Sequence, residues 1–409
     1  MERIRDRVAG LDVHRDTVVA CLRLPDGKKV ETRKRSFSTM TAGIAELGSW
    51  LAANTVSTAV MEATGVYWKP VYYGLEDIVE EVWLVNAHHV KRVPGRKTDL
   101  SDAEWLADVA AHGMVRANFV PPPPIRELRE LTRYRKTQID TRAQEIQRLD
   151  KLLQDAGIKL TSVASRTWSQ STAAMIEALI AGERDPEILA DLAKSRMRPK
   201  KEQLAQALVG RFGAHHAVVA RQIIDHLARI NDSVNGLNGE ISDRLKPFSG
   251  AIDLLCGIPG WGRITAEVFI AETGGDMAVF PTAGQLAAWA GMAPGSHESA
   301  GKRRGTGAVH GNRWLGRALI EAARAGARTK GTYLAAQYRR LAARRGPNRA
   351  AVAVAHSMVV SAWHMLTTGE TYRELGGDYY TRRDPEQQAR RLTQQLESLG
   401  YTVTATPAA

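Results

Sequence analysis

Apolar residues in the first 120 positions come in short runs separated by polar turns. Val8 to Val13 is one run. Thr17 to Leu24 is a second, closed by Pro25-Asp26-Gly27, a tripeptide suited to a tight turn. Lys28 to Phe37 has period-two features, which predict a third and more polar strand. Ile44, Leu47 and Leu51 then recur at helical spacing and predict a helix from Thr41 to Ala53. A strand from Val56 to Met61, a helix near Trp68 to Leu75 and a strand from Glu81 to Val85 follow. A last helix is expected to start at Thr98-Asp99 and run to His112.

Beyond this point the pattern changes. Pro121 to Pro124 cannot continue a helix and predict a stiff, extended connector and a first boundary. From Ile125 to Asp155 the chain is long, charged and helical, with Ile139, Ile146 and Leu153 seven apart and Leu149 between. Ile223, Leu227, Ile230, Val234, Leu237, Ile241 and Leu245 are spaced by threes and fours, the seam of a coiled coil or of an amphipathic pair within one chain. Residues 251–370 read as helical and rich in Gly, Ala and Arg, and residues 371–409 as a polar, partly loose tail. The expected organisation is an α/β domain over 1–120, an all-α coiled-coil oligomerisation region over 121–250, a helical C-terminal domain over 251–370, and the tail.

A hydrophobic share of 44% is enough for real cores, and a formal net charge of +12 favours a polyanionic partner. Two cysteines far apart, Cys21 and Cys256, leave no disulfide framework or zinc cluster to expect. The first residues lack the apolar run of a signal peptide, and no stretch reaches about 18 uninterrupted apolar residues, so no membrane association is expected. A reducing, cytoplasmic and nucleoid-associated location is.

Three hairpin-linked strands followed by helix, strand, helix, strand and helix are the element order of an RNase H-like (RuvC-like) fold. Asp12 lies between Leu11 and Val13 in the first strand, where an uncompensated charge is expensive. Glu62 ends the fourth strand, and Asp99 and Asp102 stand at i and i+3 of the expected last helix. In such a fold these four carboxylates would converge. Like charges held close call for a cation, and oxygen-only ligands select a hard one such as Mg2+. Taken singly, Asp99 and Asp102 also read as helix-start acids that complement the macrodipole.

Leu254 to Ala266 resembles a helix–hairpin–helix, with Gly260 and Gly262 permitting a tight turn and close approach of a phosphate. The segment from Ala290 to Gly305 is Gly-rich and basic and carries Ser296 and Ser299. From residue types alone these are ordinary loop serines, while Lys302, Arg303 and Arg304 are suited to a scissile phosphate. Arg313, Arg317, Arg324, Arg328, Lys330, Arg339, Arg340, Arg344, Arg345 and Arg349 follow. Only Glu321 opposes them, which predicts a phosphate-tracking surface.

Gly10-Leu11-Asp12-Val13, Met61-Glu62-Ala63-Thr64-Gly65 and Lys97 to Ala103 are joined by the Gly257 to Gly262 hairpin, Ala290 to Pro294, Ser299 to Lys302 and Gly311-Asn312-Arg313. In this order and spacing the chain resembles IS110-family transposases, of the IS1111-like branch, over nearly its whole length. The resemblance implies a metal site of Asp12, Glu62, Asp99 and Asp102 and a catalytic serine, mapped onto Ser299, that forms a covalent link to DNA. It also implies donor and target DNA as substrates, a structured bridge RNA that selects them, and assembly as a homodimer or homotetramer. Two departures stand out. Ala300 intervenes before Gly301-Lys302, where the family often has Ser-Gly-Lys, so Ser296 is a second candidate. His310 stands where the family has Arg. A metal-dependent nuclease or junction resolvase using activated water is the rival reading.

Overall fold

The alternating runs of the first 120 residues fold as strands β1 (Val8–Val13), β2 (Thr17–Asp26), β3 (Lys29–Ser38), β4 (Thr58–Glu62) and β5 (Glu81–Val85), with helices α1 (Thr41–Ala53), α2 (Trp68–Leu75) and α3 (Asp102–Ala111). The computed structural model describes residues 4–26, 29–63, 65–86, 90, 101–295, 298–299, 302–303 and 311–404. The chain divides into two units, Met1–Val120 and Pro121–Ala409.

In the first unit the sheet order is β3-β2-β1-β4-β5. β1 to β3 are antiparallel neighbours, whereas β4 pairs with β1, and β5 with β4, in parallel. Because side chains alternate along a strand, the sheet has two apolar faces. Leu11, Ala20, Leu22 and Met61 lie on one, with Leu47, Leu51 and Leu75 of α1 and α2. Val8, Val60 and Val85 lie on the other, with Trp105, Leu106, Val109 and Ala110 of α3. Burial of each large aliphatic side chain contributes about 1.5–3 kcal/mol.

Gly10 is the point at which α3 meets the sheet. A Cβ there would stand 1.9 Å from the Ala103 carbonyl oxygen and 2.6 Å from the Ala107 nitrogen. At the other end of the helix, the N–H groups of Ile4 and Arg5 donate to the Ala111 carbonyl at 2.9 and 3.2 Å. The helix therefore runs antiparallel to β1, its N-terminus at the C-terminal end of that strand. It begins later than its sequence suggests. Ser101 is extended (φ −64°, ψ 154°), so the helix starts at Asp102, and the i, i+3 argument that paired Asp99 with Asp102 on one helical face does not hold. Asp99 itself lies outside the described residues.

The second unit is built on two long helices, α4 (Pro123–Asp155) and α9 (Ala214–Leu245). The last two prolines of the Pro121 to Pro124 run form the first turn of α4 instead of a connector, because a first-turn N–H has no partner inside the helix and its loss costs nothing there. Side-chain contacts pair Arg135 with Asn238, Arg142 with Asn231, Glu145 with His226 and Asp155 with His216. The sum of the two numbers barely changes along the pair, so the helices are antiparallel. Ile223, Leu227, Ile230, Val234, Ile241 and Leu245 are buried inside this one chain. The short helices α5 (Leu160–Val163), α6 (Gln170–Ala181), α7 (Pro186–Asp191) and α8 (Lys201–Leu208) cap one end of the pair over a core that includes Leu149, Leu153, Met175, Leu179 and Leu204.

Further helices and short strands follow among the described residues. They are α10 (Ser249–Cys256), α11 (Arg263–Thr273), α12 (Ala283–Trp289), β6 (Glu298–Ser299), β7 (Lys302–Arg303), α13 (Arg313–Gly326), α14 (Tyr333–Arg345), α15 (Pro347–Thr368), α16 (Tyr379–Arg383) and α17 (Pro385–Ser398). α15 is long and apolar enough to cross a membrane by length and composition alone, but Ala350, Val354, Met358, Val359 and Ala362 are buried within the unit. The C-terminal stretch, expected to be partly loose, forms helices α16 and α17.

Gly10→Ala is expected to destabilise the protein by about 3 kcal/mol or more, since backbone of α3 and not a yielding side chain stands where the methyl would go. Urea unfolding of the full chain checks this, and an unchanged midpoint would exclude the close packing of α3 on β1.

Candidate functional site

The β1–β4 register pairs Leu11 with Met61, so Asp12 and Glu62 follow as neighbours at the C-terminal ends of two parallel strands. Both have the parity of Val8 and Val60 and point to the α3 face. Asp102, the first residue of α3, starts at that same edge. Three of the four acids expected to act together thus share one edge of one face. They are not drawn to a point: among the described residues no group of three or more His, Cys, Asp or Glu side chains is gathered tightly enough to hold a metal ion. Asp12, 29% exposed, accepts instead from His14 Nε2 at 3.2 Å. The donor set, carboxylate oxygens alone, suits a hard divalent ion. At the same edge the Ser101 hydroxyl oxygen is buried, with no hydrogen-bond partner among the described residues.

The other acids of α3 are engaged elsewhere. Glu104 meets Lys34 and Asp108 meets Arg23, each at 2.5 Å. Burial, with the Glu104 charge nearby, pushes the Cys21 thiol up to about 11, so Cys21 is a buried, neutral residue of β2.

In the second unit, the hairpin joining α10 to α11 does not use its glycines alike. Gly260 has φ +91°, and a Cβ on it would meet the Gly326 nitrogen at 2.3 Å and the Ala322 oxygen at 2.5 Å. Its lack of a side chain lets the turn press on the end of α13, so the glycine is required there by helix packing. Gly262 is exposed, with nothing near its missing side chain, and caps α11 without a side-chain hydrogen bond. The first turn of α11 thus has no side-chain cap and stands beside the exposed Arg263, which donates to Glu267 at 3.1 Å.

Glu272, near the end of α11, is the residue that sequence reading missed. Its side chain is 1% exposed. Arg133 donates to both its oxygens at 2.7 and 2.8 Å, and Arg129 stands 3.2 Å away. The Asn312 amide donates to it at 2.6 Å. Asn312 in turn caps α13, its side-chain oxygen accepting from the Trp314 and Leu315 N–H groups at 3.0 and 3.1 Å, while its own N–H donates to the Trp289 carbonyl at 2.9 Å. A second buried pair, Arg135 with Glu267 at 2.8 Å, stands on the same two helices. The spacing of Arg129 and Arg133 was a local signal, but nothing local pointed to a partner 139 residues away.

This cluster fixes the start of α13, where the basic segment re-enters the described structure. Within that segment Ser299 of β6 pairs with Lys302 of β7, and Glu298 with Arg303, in a short antiparallel ladder. Ser296, Arg304 and His310 lie outside the described residues. Beside Asn312 opens a groove of about 790 Å³ whose lining includes Lys136, Asn312, Arg313, Arg317, Glu321 and Arg324. The fold adds an acid that the linear reading could not see. Asp140 of α4 meets Lys136 at 3.1 Å and Arg317 at 3.5 Å, so the stripe is partly neutralised.

Residues 9–158 match the sequence model of a DEDD transposase domain of IS110 type. Residues 252–339 match that of the transposase IS116/IS110/IS902 family. The two spans contain all the acids and all the hairpin, serine and groove residues of α13 named above. The chain is 27% identical to the transposase for insertion sequence element IS1111A of Coxiella burnetii, over 90% of this chain and 91% of that protein. It is 31% identical to an uncharacterized 42 kDa protein of insertion element IS900 of Mycobacterium paratuberculosis, over 50% of this chain and 54% of that one. It is also 29% identical to a putative transposase of Sinorhizobium fredii, over 45% of each.

Removing the carboxylate in Glu272→Ala would leave two guanidinium groups facing one another, and a loss of about 3–5 kcal/mol is expected. Glu272→Gln should fall between it and the parent protein. Thermal and urea unfolding read the effect, and parent-like stability of Glu272→Ala would remove the cluster from the account.

Proposed function

The chain belongs to the IS110 family of transposases, and on that premise we propose that it cuts and rejoins DNA through a covalent serine–DNA intermediate assisted by a divalent metal. The observation that carries the reading lies in the first unit. Asp12 and Glu62 end adjacent parallel strands on the face where α3 begins at Asp102, inside the span that matches a DEDD transposase domain. The strand order β3-β2-β1-β4-β5, with its antiparallel trio, supports an RNase H-like assignment. Asp12, Glu62 and Asp102, with Asp99, would hold Mg2+. When bound, it would supply positive charge to the oxygens of the reacting phosphate.

The remaining roles fall to the chain. The Ser299 hydroxyl gives up its proton as Oγ bonds to the scissile phosphorus. The bond from phosphorus to the leaving deoxyribose oxygen breaks, and that oxygen leaves as a hydroxyl after taking up a proton. A phosphodiester to serine conserves the bond energy, so an incoming DNA hydroxyl reverses the step and rejoins a new pair of ends. Lys302, Arg303 and Arg304 offset charge at the phosphate, as Arg313 does in the groove beside Asn312. Gly262 and the free N–H groups of α11 hold DNA backbone without reading sequence, as a helix–hairpin–helix would. Choice of donor and target falls, on the family resemblance, to a structured bridge RNA, and a dimer or tetramer would supply enough sites for both strands.

Ser299→Ala is expected to abolish the protein–DNA adduct on denaturing gels while DNA binding persists. A Ser296→Ala control should retain the adduct. Free cleaved ends from the parent protein without any adduct would instead assign the chemistry to activated water.

Asp12→Ala is expected to lower cleavage at least a hundredfold, and EDTA should do the same to the parent protein. Undiminished cleavage by Asp12→Ala in Mg2+ would remove the carboxylate site from the mechanism.

A further inference from the structure

The basic residues that follow Ser299 form one stripe in sequence, but six of its arginines line two separate grooves. Arg313, Arg317 and Arg324 line the groove beside Asn312. Arg339, Arg340 and Arg344 of α14 line another, of about 840 Å³, which α16 and α17 close with Arg383 and Arg391. The two grooves share no lining residue. In the second, five arginines from three helices surround one space with a single acid, Asp384, on its wall.

The placement of the acids is what makes this a site. α16 and α17 carry ion pairs of ordinary helical spacing, Arg382 with Asp378 at 2.9 Å and Arg390 with Glu386 at 3.9 Å. In each case the next residue, Arg383 or Arg391, is an arginine that lines the groove. Gathering like charges costs free energy that a polyanion offsets, and the flat guanidinium fork fits phosphate oxygens two at a time. Tyr380, on the groove wall, is not available to stack on a base. Arg340 covers its ring at 4.6 Å, Tyr333 stacks on it at 5.6 Å, and its hydroxyl bonds to that of Tyr333 at 3.2 Å. What the groove offers is charge and donors, not a platform for bases.

We propose that the groove between α14 and the C-terminal helices α16 and α17 is a second nucleic-acid site that grips a phosphate backbone independently of sequence. It extends the nucleic-acid reading above but does not depend on Ser299 or on any metal. The C-terminal helices thereby act as a clamp that holds a second stretch of DNA, or an RNA, apart from the strand being cut.

The test titrates the full chain with a labelled DNA duplex and with an RNA stem-loop of equal phosphate count over a range of NaCl concentrations. The triple variant Arg340→Gln, Arg344→Gln, Arg383→Gln is compared with the parent protein and with Arg313→Gln, Arg317→Gln. The triple variant should bind one or both nucleic acids at least about tenfold more weakly at low salt, with the salt dependence of log K reduced by about 2–3 units. The change should add to that of the double variant. Loss confined to the duplex identifies DNA as the occupant, and loss confined to the stem-loop identifies RNA. The substituted arginines are exposed, so unchanged melting is expected. Should melting fall, the single reversal Arg383→Glu carries the comparison. Unchanged affinity and salt slope for both nucleic acids would overturn the proposal. Because no bond is cut, that outcome is separable from failure of the serine mechanism.

Discussion

A carboxylate buried at the end of α11 holds three distant parts of the second unit in register. Glu272 is out of water and therefore has to be fully compensated, and Arg129, Arg133 and Asn312 do so. Each partner belongs to a different task. The arginines stand on the long helix α4, Glu272 on the helix that leaves the hairpin, and Asn312 caps α13. A buried ionic cluster adds little net stability over an apolar one of the same shape, but removing one member is costly. Its contribution is to permit one relative placement of these helices. The start of α13, and with it one wall of the basic groove, is set by that placement.

The α4–α9 pair gives this arrangement its length. The apolar seam of α9 is filled by α4 of the same chain, and polar contacts from Arg135–Asn238 to Asp155–His216 cross along the pair. An apolar stripe already buried within a chain is not available to a partner chain. Association between copies would therefore have to use other surfaces, and the seam carries no argument for it.

Charge is distributed on the same principle. Six arginines of the stripe after Ser299 line two separate grooves, and each groove receives an acid from elsewhere in the fold, Asp140 in one and Asp384 in the other. Surface ion pairs of this kind contribute little to stability but trim the local field. On the proposed reading, two grooves would hold two stretches of phosphate backbone at once, whereas one continuous stripe would favour a single long contact. Cutting and rejoining requires more than one strand to be held, and two separate electropositive grooves suit that task.

The element order of the first unit was legible because strands and amphipathic helices declare themselves by local periodicity, and α1, α2 and β5 fall where their patterns place them. Asp12 stood out because a charge among apolar residues is anomalous in any fold, and Glu62 because it ends a strand. What local pattern left open was each inference that needed a partner. A seam such as Ile223 to Leu245 has the same period whether the facing helix lies on its own chain or another. The helix expected from Thr98-Asp99 instead starts at Asp102, because the extended backbone of Ser101 caps it there. Gly260 reads in sequence as a turn glycine, and the fold adds that α13 touches the hairpin there. Glu272 gave no local sign at all. Sequence determines which stretches are strands, helices and turns, because those depend on neighbours along the chain. Which charge meets which, and which glycine makes room for what, depends on residues a hundred or more positions away, and the tertiary structure alone decides them.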